Sequence, residues 1–299
     1  MDKTTLFTPK TCLFCCKELK PRSVDPMAES TDEHIFPQWL QEYLHLESLP
    51  VNPIIVRSTD LKTIDERKHS FQAFKAGGVC RECNGGWMSQ LENQVKPILI
   101  ALIERTRDLN TLTDAERFIL ARWTLKTAAS LNRSSSYGKK TYEHARIVPQ
   151  GHLRALANGE IPEDTMVVGT IYQFRRKRAD FLQHATWANP QNSIPLRAED
   201  RNTSYKIGLS FGQLILIAAY YPSRDYHYAI NSHGLFPIWS KRRVVPINHI
   251  WQDQPGQSLS FEIEVAMRNL TLVSRIWQEL VDNVAFTSLA DPLHLRFRA

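Results

Sequence analysis

No run of about 18 apolar residues, the length that lets a helix cross a bilayer, occurs in the chain. Met1 to Pro9 also lack the apolar core of a secretion signal. Neither a membrane span nor a cleaved leader is expected, and the expected compartment is the cytoplasm. Cysteine is scarce, with five in 299 residues. An odd count containing two tight pairs suits a reducing compartment and a metal better than a disulfide framework. There is no internal repeat, no glycine loop that would cradle a phosphate and no G-x-S-x-G turn.

What remains is a globular composition, 42% hydrophobic and 23% charged, in a chain long enough for two domains. The net charge of +6, with a pI near 9.1, gives modest weight to an anionic partner.

The chemistry-bearing residues gather between Cys12 and Glu92. Cys12-Leu13-Phe14-Cys15 and Cys80-Arg81-Glu82-Cys83 are two C-x-x-C knuckles. At that spacing two thiolates can turn onto one tetrahedral Zn²⁺, and together the knuckles make a four-cysteine site. The long gap between them means that the metal clamps the base of an inserted loop. Cys16 follows Cys15 directly and is a competing ligand. Inside the loop lies Asp32-Glu33-His34-Ile35-Phe36-Pro37, and Asn84 follows the last cysteine.

The order C-x-x-C, Glu33-His34-Ile35-x-Pro37, then C-x-x-C-Asn84 opening a helix resembles the HNH, or His-Me finger, endonucleases in their zinc-stapled form. The resemblance covers about the first third of the chain. It implies a ββα finger in which His34 is the general base, Glu33 a ligand of a catalytic Mg²⁺ or Mn²⁺, and Asn84 the second ligand. It further implies hydrolysis of DNA phosphodiester bonds, with double-stranded DNA as the partner, in a setting such as bacterial or phage defence. Histidine suits the base because its ordinary pKa lies near 6.5, and carboxylate and amide oxygens suit a hard cation.

On a regular strand, however, Glu33 and His34 point to opposite faces. Both can serve one site only where the strand is bent or bulged, with Asp32 as the substitute ligand. The sequence also departs from the family where Lys75 stands in place of a bracing asparagine, and where Gly85-Gly86-Trp87 replaces a basic helix start. These departures keep a second reading open, a zinc-stapled nucleic-acid-binding or interaction module without turnover. An RNA target, a protein partner and a second copy of the chain also stay open. Glu92 reads as a solvated or capping carboxylate, with a further ligand or brace as the alternative, Lys126 as a snorkelling side chain, and His45 and His69 as surface or loop histidines.

Periodicity supplies the rest of the expected α+β fold: a zinc-stapled finger (1–106), a helical connector (107–139) and a C-terminal domain with a mostly antiparallel sheet (140–299). Helices are expected at Phe36–Leu46, from Trp87 with a kink or stop at Pro97, at Ala115–Asn132 with Thr113 or Asp114 as N-cap, and within Glu264–Asn283. Pro50–Asp60 reads as a strand broken by Pro53, and Leu61–Ala76 as a polar loop. A linker is expected at Ser134–Gly138. Met166–Phe174 and Phe181–Ala188 read as a hairpin with the basic tip Arg175–Arg178, and Ser204–Phe211 and Gln213–Tyr221 as a second hairpin around Gly212. Lys241-Arg242-Arg243 and the Arg175–Arg178 tip suit phosphate contact or a solvated turn. Tyr220, Tyr221, Tyr226 and Tyr228 suit packing, with base stacking as the alternative.

Overall fold

The structure is a computed structural model that describes residues 11–47, 49–57, 63–66, 69–134, 147–172, 179–184, 204–222, 224, 226–231, 234–247, 261–275 and 293–298. In chain order its N-terminal part contains β1 (Ser30–His34), α1 (Gln38–Tyr43), β2 (Pro50–Arg57), β3 (Thr63–Glu66), β4 (His69–Ser70), β5 (Lys75–Cys80) and α2 (Ser89–Ile103). β1 and β5 pair antiparallel, with a register shift between Thr31 and Glu33. The extra residue lies in β5, where Val79 to Ala76 spans three positions against two in β1, so β1 itself is not bulged and its neighbours Glu33 and His34 keep to opposite faces.

Two expectations for this part are corrected. β2 runs through Pro53, paired with β14 (Leu293–Arg298) on one side and β3 on the other. Leu61–Ala76 holds β3, β4 and a short 3-10 turn where a loop was expected.

α2 also runs through Pro97 without ending. Proline removes one internal hydrogen bond, but Leu91, Val95, Ile98, Leu99 and Leu102 recur at helical spacing and are all buried. Each such side chain contributes about 1.5–3 kcal/mol, which outweighs a single lost bond. The irregularity lies earlier, where a wide turn spans Asn84–Met88 and Gly86 leaves the helical region at φ −94°, ψ −110°.

α3 (Asp114–Ser134) starts at a reciprocal cap: Thr113 Oγ1 accepts from Glu116 N at 3.3 Å, and Glu116 Oε2 accepts from Thr113 N at 2.9 Å. Of the two N-cap candidates, Thr113 and Asp114, Thr113 is the cap, and Asp114 opens the helix. Arg107 braces the cap with two bonds to Glu116, whose carboxyl it holds down at a pKa of about 2. The linker expected at Ser134–Gly138 lies, after Ser134, outside the described residues.

After α4 (Gln150–Ala157) come β6 (Thr165–Ile171), β7 (Ala179–His184), β8 (Tyr205–Phe211), β9 (Leu214–Tyr220), β10 (Tyr226–Asn231), β11 (Phe236–Ser240), β12 (Val244–Ile247), α5 (Phe261–Arg268), β13 (Leu270–Ser274) and β14. The β8–β9 hairpin turns at Gly212, with φ +61°, as its sequence requires. The expected β6–β7 hairpin does not form. β6 lies between β11 and β9, and β7 between β8 and β14. The reason is burial: β8 is buried at every position and β9 at all but its last. Strands apolar on both faces take the middle of a sheet, which drives β6 and β7 apart. The tip Arg175–Arg178 lies outside the described residues.

The long helix expected within Glu264–Asn283 is instead α5 followed by β13, and residues 276–283 are outside the described ones. Among the described strands, all pairings are antiparallel except β10 with β12. The main sheet, in the order β11-β6-β9-β8-β7-β14-β2-β3 with β4 beside β2, takes strands from both ends of the chain. One continuous core runs from Phe14 and Leu91 through Trp123 to Leu216. Tyr221 and Tyr228 are buried in a second cluster beneath α5, so they serve packing. No described helix is long and apolar enough to cross a membrane.

Candidate functional site

The Sγ atoms of Cys12, Cys15, Cys80 and Cys83 all lie within 4.8 Å of one another. Four sulfurs at about 2.3 Å from a tetrahedral zinc stand about 3.8 Å apart, and Cys15 Sγ to Cys80 Sγ is 3.7 Å. The donor set and its spacing thus fit a metal such as zinc.

Local structure builds the cluster. Cys16 N donates to Cys12 O in the first knuckle, and Leu13 N donates to Gly78 O across to the second. Cys80 N donates to Cys12 Sγ, and Cys83 N donates to Cys80 Sγ. Hydrogen bonding from Cys83, aided by the backbone N–H groups, lowers the Cys12 thiol to about 4 against the opposing effect of burial. Burial, with Cys12 next to it, pushes Cys80 up to about 12. Lys17 pairs with Glu82 at 2.5 Å, tying the two knuckles together outside the cluster.

Cys16 is not part of the group. Its backbone is left-handed, at φ 62°, and its sulfur accepts from Gln150 Nε2 at 3.3 Å and Arg154 Nε at 3.2 Å. The competition between adjacent cysteines is thereby decided for Cys15.

From the cluster the β1–β5 pair carries the acidic and histidine residues inward. Asp32 is exposed and Glu33 is buried. His34 is half-buried, opposite Lys75 in the register. Burial first, then the Lys75 charge, lowers the His34 pKa, with Glu92 and Asp32 opposing. No hydrogen bond joins the His34 imidazole to another described residue. Asn84 donates through Nδ2 to Thr31 Oγ1 at 2.9 Å, and Thr31 Oγ1 donates to Val79 O at 2.8 Å. Its amide therefore braces the start of the helical segment against the hairpin. His45 is exposed, and His69 lies in β4 opposite Val51.

Glu33 meets two residues that the sequence had placed elsewhere. Lys126 Nζ, from α3, lies 2.5 Å from Glu33 Oε1 and 2.7 Å from Glu92 Oε1. Lys126 is fully buried and does not snorkel, and the Glu92 side chain is only 21% exposed where a solvated carboxylate was expected. Burial raises the Glu92 pKa, with Lys126 opposing. For Lys126 burial acts downward, but the charges of Glu33 and Glu92 outweigh it and hold the ammonium protonated.

Two carboxylates at this depth need a positive partner, and Lys126 supplies it. A divalent cation on the same two oxygens does not fit this arrangement, because the ammonium fills that place. One signal in the sequence pointed here: Lys126 sits in Trp-Thr-Leu-Lys-Thr-Ala-Ala-Ser-Leu, uncharged on every other face, where a lysine must find an acid.

Comparison with family models, with curated proteins and with solved structures found no match.

Proposed function

We propose that the chain is an HNH-like endonuclease whose cysteine-clamped hairpin and helix hold His34 as the general base for hydrolysis of a DNA phosphodiester. One observation carries this reading. The β1–β5 pair and the helix after the second knuckle bring Glu33 and Glu92 to one ammonium, near a half-buried His34 that feels the Glu92 charge and makes no hydrogen bond among the described residues. Such a histidine, with its pKa lowered chiefly by burial, is neutral at neutral pH, the form that takes a proton from water. Lys75, exposed and across the hairpin, suits contact with a phosphate of the substrate, a contact that positions the duplex without reading its sequence. A bound Mg²⁺ or Mn²⁺ would neutralise charge on the scissile phosphate. The Glu33 and Glu92 oxygens that would hold such an ion carry the Lys126 ammonium instead, and the Asn84 amide braces Thr31.

A second reading, a zinc-stapled nucleic-acid-binding module without turnover, is favoured by the ammonium of Lys126 on both carboxylates.

Plasmid DNA incubated with zinc-loaded protein and Mg²⁺ or Mn²⁺ separates the two. The nuclease reading expects nicked or linear product that disappears with EDTA and falls at least about a hundredfold in His34→Ala. DNA retained in a gel shift but left uncut under every cation condition would decide for the binding module. Cutting confined to an RNA substrate would change the substrate and keep the chemistry.

A further inference from the structure

We propose that the Lys126 ammonium is the resident cation between Glu33 and Glu92 and excludes a divalent metal from them, so that neutralising Lys126 opens these two carboxylates to one. The inference rests on the nuclease reading for the cation's task, while the exclusion itself is read from binding alone.

Distance gives the first argument. Lys126 Nζ lies 2.5 Å and 2.7 Å from the two Oε1 atoms. A Mg²⁺ or Mn²⁺ bonded to those oxygens would stand about 2.1 Å from each, within the volume that the ammonium already fills. Burial gives the second. The side chains of Lys126 and Glu33 are 0% and 6% exposed, so water does little to screen one cation from another.

Origin gives the third. Lys126 belongs to α3, 93 residues from Glu33, and α3 packs against α2, α4 and β5 and against β6, β8, β9 and β11 of the main sheet. The ammonium is thus held in place by a helix wedged between the cysteine-clamped region and the main sheet. Lys126 is accordingly a residue that closes the cation site from the far side of the fold.

The test is Mn²⁺ binding to the full, zinc-loaded chain, followed by electron paramagnetic resonance of free Mn²⁺, for the wild type, Lys126→Met and Lys126→Met with Glu92→Gln. Removing the ammonium is expected to tighten Mn²⁺ binding at least about tenfold, and adding Glu92→Gln to abolish that gain. Where Lys126→Met does not fold, Lys126→Gln, which keeps a donor and loses the charge, gives the same comparison. Equal or weaker Mn²⁺ binding in the neutral variant would overturn the proposal, because Lys126 would then stand beside a metal and position its ligands. No DNA is present in this measurement. A chain that never cuts plasmid yet gains Mn²⁺ affinity loses only the nuclease reading, and one that cuts plasmid without the gain loses only this inference.

Discussion

His152 projects from α4 between two tyrosines, with Nδ1 3.1 Å from Tyr205 Oη and its ring 4.4 Å from that of Tyr220. Burial lowers its pKa to about 4, with Asp164 opposing. In the unfolded chain the same ring takes up a proton near pH 6.5. Between these values the unfolded state binds more protons, so the contribution to stability is complete above about pH 6.5 and is lost as pH falls through about 4. Its size is about 3 kcal/mol, at 1.36 kcal/mol per pKa unit. Urea midpoints measured from neutral pH down to the acid limb should fall more steeply for the wild type than for His152→Gln. Identical pH dependence in the two proteins would show that burial of this ring does not carry the effect. His34 obeys the same sign with a shift in the same direction. In the nuclease reading this places the acid limb of the rate profile below the ordinary histidine range.

At the scale of elements, the contact of α5 with the main sheet is set by one small residue. Gly208 in β8 has no side chain, and a Cβ built there would come within 2.4 Å of Ile263 Cγ2 and 3.0 Å of Met267 Sδ, both on α5. Overpacking of that kind costs about 1–3 kcal/mol. Gly208→Ala is therefore expected to lower the thermal midpoint by several degrees. Gly85→Ala, at a position with nothing within 4 Å of a built Cβ, should leave it nearly unchanged. A variant at Gly208 with the wild-type midpoint would mean that α5 rides freely on the sheet. The β8–β9 pair was legible in the sequence because the turn residues and both strands are adjacent in the chain. The neighbours of β6 and β7 were not, because they are chosen by which strands bury both faces.

For the molecule as a whole, the cysteine cluster ties segments 65 residues apart at one end of a core that continues into the main sheet. Metal held there in the folded state alone is folding free energy. Native mass spectrometry is expected to find zinc at unit stoichiometry, retained in Cys16→Ser and lost in Cys80→Ser. The Cys80→Ser chain should also melt at a lower temperature than the wild type and no longer respond to chelator. Zinc lost equally from both variants would return Cys16 to the ligand set. The shared sheet extends the consequence: β2 and β3, inside the loop that the knuckles close, pair through β14 with strands of the C-terminal half.

The sequence by itself determined what neighbours along the chain can settle: two C-x-x-C knuckles, a cap at Thr113 or Asp114 on α3, a hairpin at Gly212, and an acid beside a histidine in the clamped loop. These depend on spacings of a few residues, where backbone geometry leaves few choices. Only the tertiary structure decided which charges face each other. The energy of a buried charge depends on everything packed around it, and Lys126, 93 positions from Glu33, becomes the partner of two carboxylates because the packing of α3 against α2 and β5 sets it beside both. The same holds for Cys16, whose place outside the cluster was set by a left-handed backbone and two donors from α4.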